Sequence, residues 1–96
     1  MARSMRRTET RIINSSGQMV ASYELWSNKK RTFKGSIFFK EALITLNGNP
    51  NELVKFIVEN LSELKGGKVT YLKEFGYGNP NSFECMKRDY IEEIIG

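Results

Sequence analysis

Ninety-six residues, 40% hydrophobic and 27% charged, suit one small globular domain and exclude a disordered chain or a spacious interior. A single cysteine excludes an intrachain disulfide and points to a reducing compartment, and the lack of histidine removes the commonest general base and metal ligand. The net charge of +4 is unevenly spread: residues 1–40 carry nine basic groups against two acidic ones, residues 41–96 six against nine, an asymmetry that bears on partners rather than on fold.

Residues 1–7 carry Arg3, Arg6 and Arg7 without apolar periodicity and read as a flexible basic arm, with residues 8–96 as one domain. The arm resembles a signal-peptide n-region, but the apolar run that should follow is missing. No apolar stretch approaches the ~20 residues of a membrane helix, so a soluble, cytoplasmic protein with no membrane partner is expected.

Thr8–Asn14 and Met19–Ser27 read as strands joined by a Ser15-Ser16-Gly17-Gln18 turn. Arg31–Lys40 alternates as a third strand, with Phe33, Ile37 and Phe39 on one face. Side chains directly opposite in antiparallel strands share a face, so a loop of odd length is required. The loop Asn28-Lys29-Lys30 pairs Leu25 with Phe33, Ala21 with Ile37, and Glu24 with Lys34. Residues 41–47 fit either a helical turn or a strand end.

Asn49-Pro50-Asn51-Glu52 is a helix start: an Asn cap, Pro in the first turn and an early acid. Leu53, Phe56, Ile57, Leu61 and Leu64 follow at helical spacing up to Gly66-Gly67. Lys68–Phe75 reads as a strand with Val69, Tyr71 and Phe75 on one face. After a Gly76–Pro80 loop, Asn81 or Ser82 caps a second helix whose stripe is Phe83, Met86, Tyr90, Ile91, Ile94 and Ile95. The expected fold is α+β: a three- to four-stranded antiparallel sheet with two helices packed on it, in the order β-β-β-α-β-α.

No catalytic constellation is legible. Cys85 has no histidine to activate it and reads as a small buried hydrophobe. Glu92 and Glu93 are adjacent and read as a solvated face, and no metal-ligand pattern is present. Gly76-Tyr77-Gly78 lacks the third glycine and the βαβ unit of a dinucleotide site. No enzyme, metal or cofactor is expected.

The basic N-terminal half is the strongest functional signal. Arg3, Arg6, Arg7 and Arg11 lead into the sheet, and Lys29, Lys30 and Arg31 tip its second hairpin, which suits phosphate contacts. On the expected outer face Trp26 and Phe38 accompany Lys34 and Lys40, the aromatic and cationic mixture of a platform for single-stranded nucleic acid. A small nucleic-acid-binding or regulatory protein is therefore expected. The alternative is a protein-binding inhibitor or adaptor, of the kind viruses encode, that meets an acidic partner through the same charged and aromatic face. The opposite charges of the two halves also permit self-association.

Overall fold

The computed structural model of the chain describes residues 3–46 and 49–96. Its first elements are the expected meander. β1 (Ser4–Ile13) and β2 (Met19–Trp26) pair antiparallel around a turn made by Asn14. The Oδ1 of Asn14 accepts from the amides of Ser16 (3.0 Å) and Gln18 (2.9 Å), which closes the turn without a long loop. Because β1 begins at Ser4, residues Ser4–Arg7 are paired strand rather than a flexible arm. Residues 1 and 2 of that arm lie outside the described residues.

The second hairpin keeps the expected odd loop but slides its register. Trp26 N–H donates to Lys30 O (2.9 Å) and Lys29 N–H to Trp26 O (2.8 Å), with Lys29 at φ 70. The loop is thus Ser27-Asn28-Lys29, a turn closed by a left-handed residue. In β3 (Arg31–Gly35), Phe33 now faces Tyr23 instead of Leu25, and Lys34 faces Ser22 instead of Glu24.

The expected third strand ran on to Lys40, but β3 ends at Gly35. Gly35 turns the chain with φ +123, and the Ser36 Oγ accepts from Phe38 N–H, capping α1 (Ile37–Thr45). Ile37, Phe38, Phe39 and Lys40 therefore sit on a helix, and alternation read straight through this break. The ambiguous 41–47 segment continues α1 to Thr45; Asn47 is outside the described residues.

α2 (Pro50–Asn60) starts as expected, the Asn49 side chain accepting from the amides of Asn51 and Glu52. It stops earlier than its apolar stripe suggested, and Leu64 reaches the core from a short 3-10 turn, Ser62–Leu64. β4 (Lys68–Tyr77) follows.

The expected final helix is a strand, β5 (Glu84–Ile94), paired antiparallel along β4. The Asn-Pro-Asn-Ser signal that imitates a helix cap makes a hairpin turn instead: the Asn79 Oδ1 accepts from Asn81 N–H (2.9 Å) and Ser82 N–H (3.2 Å). The open edge of β4 then supplies backbone partners to a segment rich in Ile and Tyr, residues that favour strands. The fold is α+β, as expected, but with five strands in the order β3-β2-β1-β4-β5 and a chain order β-β-β-α-α-β-β.

Both helices lie on one face. Ile12, Ala21, Tyr23 and Val69 of the sheet pack with Phe39 and Leu43 of α1 and with Leu53 and Ile57 of α2. α1 contacts β2 and β3, and α2 contacts β4 and β5. The helices are inserted between the end of β3 and the start of β4, at the end of the sheet where β1 stops. They cover that end only, and half of the same face stays open.

Candidate nucleic-acid interface

The two faces of the sheet have different chemistry. On the face away from the helices, Arg7 stands at the centre of a charge cluster. Its guanidinium meets Glu24 (2.6 Å), Glu74 (2.7 Å) and Glu9 (3.1 Å), and its Cζ lies 5.7 Å from the centroid of the Trp26 ring. Arg88 bonds the other oxygen of Glu74 (2.8 Å), Arg11 bonds Glu9 (2.9 Å), and Trp26 Nε1–H donates to Glu24 (3.0 Å). Burial works against the Arg7 charge, but the hydrogen bond to Glu24 and the charges of Glu9 and Glu24 outweigh it and raise its pKa. Burial likewise pushes the Glu74 carboxyl up, and the bonds from Arg88 and Arg7 pull it below the usual carboxylate range.

This face is a neutralised, internally bonded surface. Phe83 packs edge-on against Trp26 at 5.1 Å, and Trp26 is only 7% exposed. The expected stacking platform is absent from it. Trp26 is buried, Phe38 and Lys40 lie on α1, and only Lys34 stays on the sheet there, beside Thr32, Ser22 and Glu24.

The uncovered half of the opposite, helix-side face is different. Cross-strand partners share a face, so the pairings Arg31–Leu25, Leu25–Thr8, Thr8–Lys73 and Lys73–Asp89 lay one row of side chains across all five strands. The next row holds Arg6, Phe75 and Lys87. Arg6, Arg31, Lys73 and Lys87 are all exposed, with Asp89 the single carboxylate among them. Arg6, Lys73, Phe75, Lys87 and Asp89 line an open depression of about 410 Å³. Phe75 sits half-buried at its floor, and Tyr77, the next residue on that face, meets it at 5.7 Å with its ring 41% exposed.

The second hairpin joins this face at its rim. Ser27 N–H donates to Arg6 O, and the Ser27 Oγ accepts from Arg6 N–H, which fixes the loop carrying Lys29 and Lys30 against β1. Of the residues expected from sequence, Arg6, Lys29, Lys30 and Arg31 thus lie at one end of the molecule. Arg7, Arg11 and Lys34 point to the other face. Arg3 is exposed near the end of β4, where its carbonyl accepts from Gly78 N–H.

Lys73, Phe75, Tyr77 and Lys87 were not among the expected site residues. The alternation of Lys68–Phe75 does place Lys73 beside Phe75 on one face. Lys87 was assigned to a helix, so its convergence with Arg6 was invisible.

Cys85 is half-buried on β5, its thiol donating to Lys87 O (3.3 Å). Among the described residues no group of His, Cys, Asp or Glu could hold a metal ion, and no helix is long and apolar enough to cross a membrane. No family model matches the sequence, and neither a curated protein nor a solved structure matches it.

Proposed function

We propose that this protein binds single-stranded nucleic acid on the uncovered half of its helix-side sheet face and performs no catalysis. The observation that carries the reading is the ring of Arg6, Arg31, Lys73 and Lys87 around the Phe75–Tyr77 pair. Cations that track a phosphate backbone and aromatic rings that accept bases are the two parts of a sequence-tolerant single-strand site. The backbone contacts dominate affinity and make it depend on salt, by about 0.7 of a log unit per log unit of salt for each phosphate neutralised. Four such contacts weaken binding roughly fifty-fold between about 50 and 200 mM salt.

The test is a titration of labelled single- and double-stranded oligonucleotides at those two salt concentrations. Micromolar binding, preferring single strands and lost when Arg31, Lys73 and Lys87 become Ala, is the expected result. Trp26 emission serves as a fold control, because the ring is buried on the opposite face. No binding at the lower salt removes the reading.

A protein-binding inhibitor or adaptor is the second reading, and one feature favours it. Ile37 (78% exposed) and Phe38 (47%) join Ala42, Leu46 and Phe56 around an open apolar groove of about 500 Å³ on the helices. Under that reading Ile37→Asp abolishes partner capture, while the Ala substitutions on the sheet leave it intact.

A further inference from the structure

We infer that two copies of this chain pair through their β5 edges, antiparallel and about a twofold axis at Tyr90, to form one continuous sheet. The inference does not rest on the nucleic-acid reading.

The two edges of the sheet are unequal. β3 has five residues and ends in a glycine that turns into a helix, whereas β5 has eleven. Along its outer side β5 presents a row of backbone groups with no partner in the described residues. Natural proteins usually blunt such an edge, because a long regular strand recruits another. β5 also exposes Met86 (62%), Tyr90 (57%), Ile91 and Ile94 (63%).

The strand's sequence is complementary to itself. A twofold perpendicular to the sheet keeps both sets of helices on one side, and it requires opposed residues to share a face, so their numbers must sum to an even value. With the axis at Tyr90, Lys87 opposes Glu93 of the second copy and Arg88 opposes its Glu92. Met86 opposes Ile94, and Tyr90 meets Tyr90. Each contact occurs twice, and every charged side chain except Asp89, which faces Ile91, finds the opposite sign.

Neighbouring registers lose this match. Moving the axis to Asp89 sets Asp89 against itself, and moving it to Ile91 sets Asp89 against Glu93. Like charges directly opposed are destabilising, so the pattern selects one register. Within one chain Arg88 already bonds Glu74 and Lys68 bonds Glu92. The new contacts extend those pairs across the axis without breaking them.

Sedimentation velocity across a concentration series tests the pairing. The wild type is expected to sediment as a dimer, with micromolar dissociation that weakens in high salt. Lys87→Glu/Arg88→Glu makes the central edge all acidic apart from Tyr90 and Ile91, and Glu92→Lys/Glu93→Lys makes it predominantly basic. Each variant alone is expected to weaken dimerisation more than about tenfold, and an equimolar mixture to restore it. Register is read separately, in a Cys85→Ser background, by oxidation of Tyr90→Cys and Ile94→Cys variants. Tyr90 faces its own copy, within reach of a disulfide, while two Ile94 positions lie roughly 26 Å apart, so only the first is expected to cross-link. A monomeric wild type, undiminished dimerisation of the charge variants, folded variants that do not associate when mixed, or equal cross-linking at the two positions would overturn the inference. The cross-linking arm remains decisive should a charge variant fail to fold.

Discussion

Arg7 illustrates how a residue that looks like part of a binding surface becomes part of the frame. It lies opposite Trp26 on β2 and Glu74 on β4, so three strands deliver Glu9, Glu24 and Glu74 to a single guanidinium. Removing one partner of a nearly buried charge cluster leaves the others uncompensated. Arg7→Ala is therefore expected to cost about 3 kcal/mol in urea unfolding, well above the cost of Arg31→Ala on the open face. Glu74 supplies the pH dependence. Its carboxyl titrates below the ordinary 4.5 in the folded chain, so its stabilisation is complete above that value and is lost as pH falls through the lower folded one. Glu74→Gln has no such term. The stability gap between wild type and Glu74→Gln is expected to be widest near neutral pH and to narrow in acid, which urea midpoints over a pH series measure. A gap that stays constant would mean that Glu74 acts by packing alone. Nothing in the sequence around Arg7 marks this role, because its three partners come from distant strands.

At the scale of elements, the local signals that depend on a side chain bonding its own backbone were legible, and those that depend on a neighbouring strand were not. Asn49-Pro50 announced α2, and the Asn49 side chain does cap it. The same chemistry at Asn79 closes a hairpin, since an Asn that accepts from the next two or three amides serves a turn as well as a helix. Only the free edge of β4 decided which, and an edge is a property of the assembled sheet. The β3–α1 junction was missed for the opposite reason. Its signal, Gly35-Ser36, was present but lay inside an alternating pattern from Phe33 to Phe39. The geometry makes that junction demanding. A Cβ on Gly35 would stand 2.6 Å from Val20 O and 2.8 Å from the Ala21 Cα, with φ in the region side chains avoid. Gly35→Ala is expected to cost about 3 kcal/mol or more in urea unfolding, and Ser36→Ala about 1 kcal/mol for the lost cap. Comparable costs at the two positions would mean that the chain re-routes the junction easily.

At the scale of the whole molecule, the position of the helices decides where a ligand is met. The molecule is elongated, 48 × 22 × 20 Å, and its helices protect the end of the sheet that carries Ile12, Ala21 and Val69. The charge asymmetry of the two halves was plain in the sequence, and it drew attention to the N-terminal half. Once folded, β1 lies between β2 and β4, so the open face takes Arg6 and Arg31 from the basic half and Lys73 and Lys87 from the acidic one. Electrostatic and stacking contributions on that face are separable. Replacing a cation that touches phosphate reduces both affinity and the steepness of its salt dependence, by about one counterion for each group. Removing an aromatic ring lowers affinity by roughly ten-fold or more at every salt concentration and leaves the steepness alone. Tyr77→Ala is thus expected to give a binding line parallel to that of the wild type on a plot of log affinity against log salt. Lys73→Ala is expected to give a shallower one, and Arg11→Ala, on the bonded face, to superimpose on the wild type. A Tyr77→Ala line that coincides with the wild type would restrict the interface to phosphate contacts. Equal effects of Arg11→Ala and Lys73→Ala would mean that only net charge is felt, and that the open face has no special part in binding.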